Sequence, residues 1–207
     1  MFRTAELQRK LPKEDYHQQV PRLREELLMM QMDLRNAHFP VIVVFAGVDG
    51  AGKSETVNKL HEWLDSRWLV TRAFGEPSDE ERDRPEYWRF WRELPPRGRM
   101  ALFLSSWYSM PILDQVYGHT TLAEFDERLE RIKTFEKTLA DDGALILKFW
   151  MHLSKDAQKE RLRKLEKNQL LHWRISKRDW RHWELYDQFI AAAERTIMKT
   201  STGLAPW

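Results

Sequence analysis

The run of residues 41–54 is the feature that most constrains the fold of this chain. Its first five residues, Val-Ile-Val-Val-Phe, are apolar and mostly β-branched, which is typical of a strand buried on both faces of a sheet. After Ala46, the eight residues Gly-Val-Asp-Gly-Ala-Gly-Lys-Ser match the pattern G-x-x-x-x-G-K-S/T. A helix is predicted to follow, to about Ser66. A strand, a glycine-rich loop and a helix in this order predict a phosphate-binding P-loop in an α/β protein.

Each part of this loop has a physical role toward phosphate. Glycines let the backbone turn tightly, so that successive N–H groups converge on phosphate oxygens, and the helix N-terminus adds its dipole. Lys53 supplies a mobile positive charge, and the Ser54 hydroxyl is suited to ligate Mg²⁺. The predicted phosphate-binding residues of the loop are Gly47, Gly50, Ala51, Gly52, Lys53 and Ser54.

Three further segments are predicted as strands, at residues 68–74, 100–104 and 144–151. Helical patterns separate them. Strands that alternate with helices predict a parallel sheet covered on both faces. The predicted fold class is therefore α/β: a three-layer α/β/α P-loop fold, like that of thymidylate kinases, with a helical lid.

Capping boxes mark the starts of two predicted helices. Thr121 with Glu124 opens one, and Ser176 with Asp179 opens a last helix that is predicted to run to about Lys199. Asp179 is interpreted as a capping acid in preference to a catalyst. The first of these helices is predicted to turn one apolar side inward: Leu122, Phe125, Leu129, Ile132, Phe135 and Leu139.

An apolar stripe at helical spacing precedes the P-loop. Pro21 is well placed as a first-turn residue of this helix, which is predicted to end near Ala37. We predict a helical extension over residues 1–39 and a P-loop domain over residues 40–207, with a lid at about 168–180. The stripe and the surplus of aromatic residues suit a homo-oligomer or a tandem pair. The stripe comprises Val20, Leu23, Leu27, Met30 and Leu34.

Composition excludes several classes of protein. The chain has no cysteine, which excludes disulfides and thiolate metal sites and favours the cytoplasm. No apolar run approaches the roughly 20 residues of a membrane span, and the N-terminus lacks the apolar core of a secretion signal. A net charge of +2 gives no argument for nucleic acid. Neither nucleic acid nor a membrane is therefore expected as a partner.

Positive charge is concentrated between Lys159 and His182, where nine Lys or Arg residues stand against three acids. Such a segment suits a polyanion, although a solvated helix face with i,i+4 ion pairs explains the same pattern. The seven histidines show no metal-binding spacing and are assigned no site. Tryptophans 107, 173 and 180 are expected to fill core or interface in preference to stacking on a base.

The strand-end acid of many P-loop enzymes is missing here. Such enzymes place a carboxylate at the end of another buried strand, where it holds the Mg²⁺ shell. The strand at residues 100–104 ends in Ser105 and Ser106, and no carboxylate follows until Asp114. Serine lacks the negative charge that a carboxylate brings to a hard cation. Asp49 is the nearest alternative acid, so Asp49 and Ser54 are the predicted Mg²⁺ ligands.

Five segments, in this order along the chain, resemble the polyphosphate kinase 2 family. They are the P-loop with Asp49 at its third place, the aromatic and basic residues 81–91, the triplet Ser106-Trp107-Tyr108, residues 171–176 followed by Asp179, and the ending Ala205-Pro206-Trp207. The resemblance extends from about Pro40 to Trp207. It implies transfer of phosphoryl groups between inorganic polyphosphate and a nucleotide such as AMP, ADP or their guanine counterparts, with Mg²⁺.

The resemblance also implies roles for single residues. Asp49, Lys53 and Arg89 correspond to catalytic positions, and Arg174 and Arg178 to phosphate-binding positions of the lid. The family pattern after the third strand has an acid and arginines where this chain has residues 105–110, Ser-Ser-Trp-Tyr-Ser-Met. This loss resembles the N-terminal half of two-domain polyphosphate:AMP phosphotransferases, in which a second domain keeps the intact pattern. The chain is therefore expected to be a fragment of a longer protein.

Three functions stay open from the sequence. The chain is an active polyphosphate-dependent nucleotide kinase, or a catalytically degenerate module with a structural or regulatory role beside an active second domain. A weaker alternative is an ATP-dependent nucleoside monophosphate kinase, because such kinases share the P-loop, the basic lid and the parallel sheet.

Overall fold

The computed structural model describes residues 1–6 and 10–207. Within them, four parallel strands form one sheet in the order β2-β3-β1-β4. The strands are β1 Val41–Gly47, β2 Leu69–Ala73, β3 Met100–Leu104 and β4 Leu145–Met151. The α-helices of the described residues are α1 Lys13–Leu34, α2 Lys53–Trp63, α3 Asp79–Arg82, α4 Trp88–Trp91, α5 Ser109–Val116, α6 Leu122–Asp141, α7 Lys155–Glu166, α8 Lys177–Glu184 and α9 Tyr186–Thr200.

The strand before the P-loop lies in the interior of the sheet. Val41 of β1 pairs with Met100 of β3 on one side and with Leu145 of β4 on the other. Because all four strands are parallel, their carboxyl ends meet at one edge, which is where open α/β sheets bind ligands. The P-loop and the turn after β3 are both placed at that edge.

Each face of the sheet has its own hydrophobic core. Alternate residues of β1 point to opposite sides: Val44 packs with the inward side of α6, whereas Val43 packs with Val57 of α2. The continuous apolar run of β1 is explained by burial on both sides. The predicted three-layer α/β fold with a parallel sheet is thereby confirmed. On α6, the predicted inward residues are buried except Leu122, which is 52% exposed at the first turn.

Helix α1 begins eight residues earlier than the position of Pro21 predicts. Pro21 lies inside the helix, so its assignment to the first turn was wrong. Residues 13–20 extend the helix because they favour helix and place Glu14 and Asp15 at the positive end of its dipole. Leu34 is buried in the core beneath the sheet, whereas Leu23 is 44% exposed. No helix of residues 1–6 and 10–207 is long and apolar enough to cross a membrane.

The last predicted helix is divided in two. Its capping box is present, because Asp179 Oδ2 accepts a hydrogen bond of 2.7 Å from the Ser176 N–H. The helix ends at Glu184, however, and α9 starts at Tyr186. Likewise, residues 79–91 form two short helices, α3 and α4, because Pro85 stands between them and disfavours a helical residue before it.

Candidate functional site

The P-loop connects β1 to α2 through backbone that requires glycine. Gly47 has φ of 131°, and a Cβ on it would lie 2.0 Å from the Met151 carbonyl oxygen of β4. Gly52 has φ of 98° and is the residue directly before α2. Among the side chains that the structure describes, none caps this helix start. The first N–H groups of α2 are therefore free to bind an anion, as the sequence predicts.

Lys53 bends back over the loop. Its Nζ donates to the carbonyl oxygens of Gly47 at 2.7 Å and Val48 at 3.0 Å. Burial lowers the pKa of Lys53, although the charges of Asp49, Asp179 and Glu55 act in the opposite direction. Two neutral carbonyls are weaker partners for an ammonium group than a phosphate is. A phosphate oxygen that enters the cleft can therefore replace them as the acceptor for Lys53.

Asp49 is held by α8. Its Oδ2 is 2.5 Å from His182 Nδ1, and its Oδ1 is 3.8 Å from Lys53 Nζ. Burial on its own raises the pKa of this carboxyl. The hydrogen bond with His182 and the charges of Lys53, His182 and Arg178 outweigh burial, so that the pKa of Asp49 is lowered and the group is a carboxylate at neutral pH.

A cleft of about 210 Å³ opens at the carboxyl edge of the sheet. We call it the main cleft, because most of the residues predicted for the site that line a cleft line this one. The ends of β1, β2 and β3 contribute to its walls, as do α7, α8 and α9. Aromatic side chains such as Phe74, Phe90 and Phe189 line one part of it. Of the residues predicted from the sequence, this cleft brings together Gly47, Asp49, Lys53, Arg89 and Arg178.

A second depression, the outer cleft, lies on the other side of the P-loop. It is lined by Gly50, Ala51 and Gly52 together with Arg161 and Lys164 of α7, and its volume is about 640 Å³. The predicted phosphate-binding residues are thus divided between two clefts that share one loop, and Ser54 lines neither of them.

Arg174 is separated from the main cleft. Its Nη1 is 3.4 Å from Glu55 Oε1, and Arg161 reaches the same oxygen at 3.5 Å. Arg174 therefore stands beside the outer cleft, to which Arg161 belongs. Arg178 differs, because it lines the main cleft and no hydrogen bond or ion pair holds its side chain among residues 1–6 and 10–207.

Three buried polar atoms in residues that line the main cleft make no hydrogen bond within the described chain. Arg89 donates through Nη2 to the Gly75 carbonyl at 3.1 Å, lies over the Phe74 ring and has its Nε 3.4 Å from Glu81 Oε1, but this buried Nε makes no hydrogen bond within the described chain. The same holds for Trp150 Nε1 and Gln158 Oε1, both in residues that line this cleft. Buried polar groups normally have partners, so these atoms mark positions for ligand or water.

The turn after β3 presents hydroxyl groups in place of a carboxylate. Ser105 lies in the cleft wall with φ of 57°, a left-handed conformation that is uncommon for a residue other than glycine. Among the described residues, no group of three or more His, Asp or Glu side chains is placed to hold a metal ion. Asp49 and Glu76 are the carboxylates that line the main cleft.

A comparison with protein families decides the relationship. The model of the polyphosphate kinase 2 (PPK2) family matches residues 10–207. The chain belongs to the polyphosphate kinase 2 family. The resemblance seen in its motifs is therefore confirmed over most of its length.

Relatives within the polyphosphate kinase 2 family cover the whole chain. It is 46% identical to the polyphosphate:AMP phosphotransferase of Pseudomonas aeruginosa, with 100% of this chain and 42% of that protein aligned. It is 30% identical to the GDP-polyphosphate phosphotransferase of Mycobacterium tuberculosis, over 96% of this chain and 68% of the relative. The crystal structure of polyphosphate kinase 2 from Arthrobacter aurescens superposes with a TM-score of 0.90 at 28% identity, covering 96% and 72% of the two chains.

Coverage of the two-fold longer relatives is partial. The chain spans 42% of the length of the Pseudomonas aeruginosa phosphotransferase, over its N-terminal half. The activity of that whole protein is therefore only a proposal for this chain.

Three residues of the polyphosphate kinase 2 site were missed from the sequence. His182 binds Asp49, Tyr117 binds His182, and Gln158 donates from Nε2 to the Asp49 carbonyl at 3.0 Å. None of them follows a recognisable spacing, since His182 is 133 residues from its partner. The tryptophans also differ from one another: Trp107 is buried as expected, whereas Trp173 is 74% exposed and is not part of the core.

Proposed function

We propose that this chain binds inorganic polyphosphate and a nucleotide and transfers a phosphoryl group between them. The observation that carries the proposal is the main cleft, in which Lys53, Asp49, Arg89 and Arg178 meet in a member of this family. The names of its relatives supply the substrates, which are polyphosphate with AMP or GDP. Which nucleotide this chain accepts is part of the experiment below.

Three cationic side chains of the main cleft have separate roles in the proposed transfer. Lys53 leaves the two carbonyl oxygens and binds the transferring phosphate, whose charge is also neutralised by Arg178. Arg89, whose Nε makes no hydrogen bond within the described chain, exchanges its ion-pair contact with Glu81 for an oxygen of the acceptor or of the phosphate chain. Phosphoryl transfer needs position and electrostatic stabilisation more than covalent chemistry, and these cations supply both.

The outer cleft extends the same proposal to the polymer. Gly50, Ala51 and Gly52 turn their backbone toward a depression with Arg161 and Lys164 on its wall. Phosphates beyond the reacting one would follow this basic surface, with Arg174 at its side. A polymeric anion can contact both clefts at once, whereas a single nucleotide fills one.

A divalent cation, which kinases of this family generally need, is proposed to be Mg²⁺. The donor set fits Mg²⁺ only in part. Asp49 offers one carboxylate oxygen, Oδ1, since Oδ2 is taken by His182. Mg²⁺ is commonly held by one or two carboxylates, water and substrate phosphates, so Asp49 with the phosphates is the proposed set and Ser54 a weaker member of it. The cation would neutralise charge on the transferring phosphate.

A degenerate module is the second candidate, and Ser105 is the observation that favours it. The turn after β3 lines the cleft but contributes no charge to a metal. In that case the chain binds polyphosphate and leaves turnover to another domain. We propose a second copy or a tandem domain as its partner, because α1 exposes Leu23, Met29 and Met32. The proposed compartment is the cytoplasm.

The deciding experiment is an assay of the purified chain. Polyphosphate and Mg²⁺ are supplied with AMP, ADP, GMP or GDP in turn, and the phosphorylated nucleotide is separated by chromatography. Replacing polyphosphate by ATP tests the nucleoside monophosphate kinase. Lys53→Met is the blank, and Lys59→Met, an exposed lysine on the same helix, is its matched control.

The outcomes distinguish the enzyme from the degenerate module. Product that depends on Lys53 but not on Lys59 supports the enzyme. Polyphosphate binding without product supports the module. Neither binding nor product, from a chain whose circular dichroism is that of a folded α/β protein, contradicts both.

A further inference from the structure

His182 joins three elements at the phosphate site. It lies on α8, and its imidazole is nearly enclosed, with 10% of the side chain exposed. Nδ1 is 2.5 Å from Asp49 Oδ2 in the P-loop, and Nε2 is 2.7 Å from the Tyr117 hydroxyl directly after α5. The ring also packs against Phe189 of α9 at 4.9 Å between centroids. Both nitrogens and a ring face are thus engaged.

The direction of the Asp49 hydrogen bond follows from its chemistry. A carboxylate can only accept, so His182 Nδ1 carries the hydrogen and donates to Asp49. Nε2 and the Tyr117 hydroxyl then form either of two complementary arrangements, with the hydroxyl donating to a neutral ring or accepting from a charged one. Both arrangements hold the ring in the same orientation.

Asp49 is therefore attached at two points, once to α8 and once to α7. The His182 ring from α8 holds its side chain, and Gln158 from α7 donates to its backbone carbonyl at 3.0 Å. Movement of α8 away from the loop breaks the first contact. The orientation of the carboxylate is consequently linked to the position of α8, and Oδ1 is the oxygen left on the side of Lys53.

We propose that His182 is a positioning residue of the phosphate site. Its hydrogen bond, called the clasp below, holds the Asp49 side chain against α8 and thereby fixes both the orientation of the free carboxylate oxygen and the position of α8. The inference depends on the proposed function only for the identity of the ligand, polyphosphate. The contact between His182 and Asp49 involves residues of this chain alone.

Two substitutions separate the hydrogen bond from the bulk of the ring. His182→Leu keeps apolar volume and removes the donor, whereas the amide nitrogen of His182→Asn can take the place of Nδ1. Tyr117→Phe removes only the outer hydrogen bond. His172→Leu is the matched control, because His172 is an exposed lid histidine whose Nδ1 bonds to the Gln169 carbonyl of its own turn.

The first readout is hydrogen–deuterium exchange without ligand, for peptides over residues 47–53 and 177–184. With His182→Leu, exchange is expected to rise at least threefold in both segments and to stay unchanged in β4. His182→Asn should restore most of the protection, and His172→Leu should change neither segment. Faster exchange in α8 alone, or equal loss with Leu and Asn, would overturn the clasp. Faster exchange in β4 as well with both variants would make His182 a general packing residue and also overturn it.

The second readout is the affinity for polyphosphate in Mg²⁺. His182→Leu is expected to weaken binding roughly tenfold and His182→Asn less than threefold, because a charge-assisted hydrogen bond orders the loop before binding. Unchanged affinity with faster exchange in residues 47–53 and 177–184 would overturn the positioning role. If the unaltered chain binds no polyphosphate, the proposed function fails, and the exchange experiment still decides whether the clasp exists.

Discussion

Two lysine–carboxylate pairs, one in the cleft and one in the core, show how differently this chain uses the same chemistry. Asp49 and Lys53 stand 3.8 Å apart, with 33% and 21% of their side chains exposed. Glu136 of α6 and Lys148 of β4 stand 2.7 Å apart and are 2% and 0% exposed. The half-buried pair of the cleft is loose, and the fully buried pair of the core is closed off from water.

The partners of the two pairs differ in the same way. Lys148 donates to Glu136, to the Tyr108 hydroxyl at 2.9 Å and to the Thr200 carbonyl at 2.9 Å, so its three hydrogens are all used. Glu136 also accepts from the Trp107 indole. The core network is saturated from within, whereas Lys53 and Arg89 of the cleft leave donors for a ligand. Saturation distinguishes a structural ion pair from a binding site.

The largest expected effect is on stability, from removal of one member of the core pair. Burial raises the pKa of Glu136 and lowers that of Lys148, so each charge is tolerated only through its partner. Glu136→Leu is expected to reduce the free energy of unfolding by about 3–5 kcal/mol, because Lys148 is left buried and unpaired. Urea unfolding followed by circular dichroism measures it.

The double variant Glu136→Leu with Lys148→Met is the control for this prediction. It removes both charges, so most of the lost stability should return. A double variant as unstable as Glu136→Leu would show that the hydrogen bonds to Tyr108 and Trp107, and not the unpaired charge, carry the effect.

The next effect is on ligand binding, from the lysine of the cleft. Lys53→Met is expected to weaken polyphosphate binding on the order of 100-fold, because a charge-assisted contact to phosphate is lost. Its free energy of unfolding should change by less than about 1 kcal/mol, since Lys53 gives up two carbonyl partners but also its unfavourable burial. Calorimetric titration and urea unfolding of the same preparation measure both. A loss of stability as large as that of Glu136→Leu would remove the distinction between the two pairs.

The third effect tests the turn that closes the cleft after β3. Ser105→Asp is expected to raise the Mg²⁺ affinity of the polyphosphate complex about three- to tenfold, by adding a carboxylate to the cleft wall. Aspartate is one of the residues that accept the left-handed conformation of this position, where φ is 57°. Titration of Mg²⁺ into the complex gives the affinity.

Ser105→Gly is the matched variant for the backbone. It should stabilise the fold by up to about 1 kcal/mol, because glycine adopts positive φ without strain, and it should leave Mg²⁺ affinity unchanged. Equal Mg²⁺ affinity for the Asp and Gly variants would mean that position 105 does not face the cation.

The contrast between core and cleft also explains how far the sequence could be used. The strands, the P-loop and the apolar side of α6 follow from short-range patterns, and the structure has them within a few residues. Lys148 could have been noticed, because it is the one charged residue in the otherwise apolar strand β4, and Glu136 lies four residues after Ile132 on the inward side of α6. Neither pattern says that the two residues meet.

The clefts could be predicted only in part for the same reason. The loop glycines and Lys53 are local, so their place was predictable. Arg178 lines the main cleft, whereas Arg174 lies beside the outer cleft, and this separation depends on how α7 and α8 pack. The contact of His182 with Asp49 joins residues 133 positions apart, and no periodicity relates them.

The smallest expected effect belongs to a third pair, which is more exposed than the core pair. Asp126 accepts from Arg195 Nε and Nη2, both at 2.5 Å, and Lys199 lies 3.1 Å away. The hydrogen bonds from Arg195 lower the pKa of Asp126 from 3.8 to about 2. A carboxylate with a lowered pKa stabilises the fold above its unfolded pKa, and this contribution is lost as the pH falls through the folded value.

The stability difference between the unaltered chain and Asp126→Asn is therefore expected to be constant above about pH 5 and to shrink toward zero near pH 2. Urea unfolding at half-unit steps of pH measures it. The amplitude should be well below that of Glu136→Leu, because solvent screens this pair and does not reach the core pair. A difference that is independent of pH down to about 2 would mean that folding does not shift the pKa of Asp126. An amplitude equal to that of the core pair would show that burial is not what separates the two.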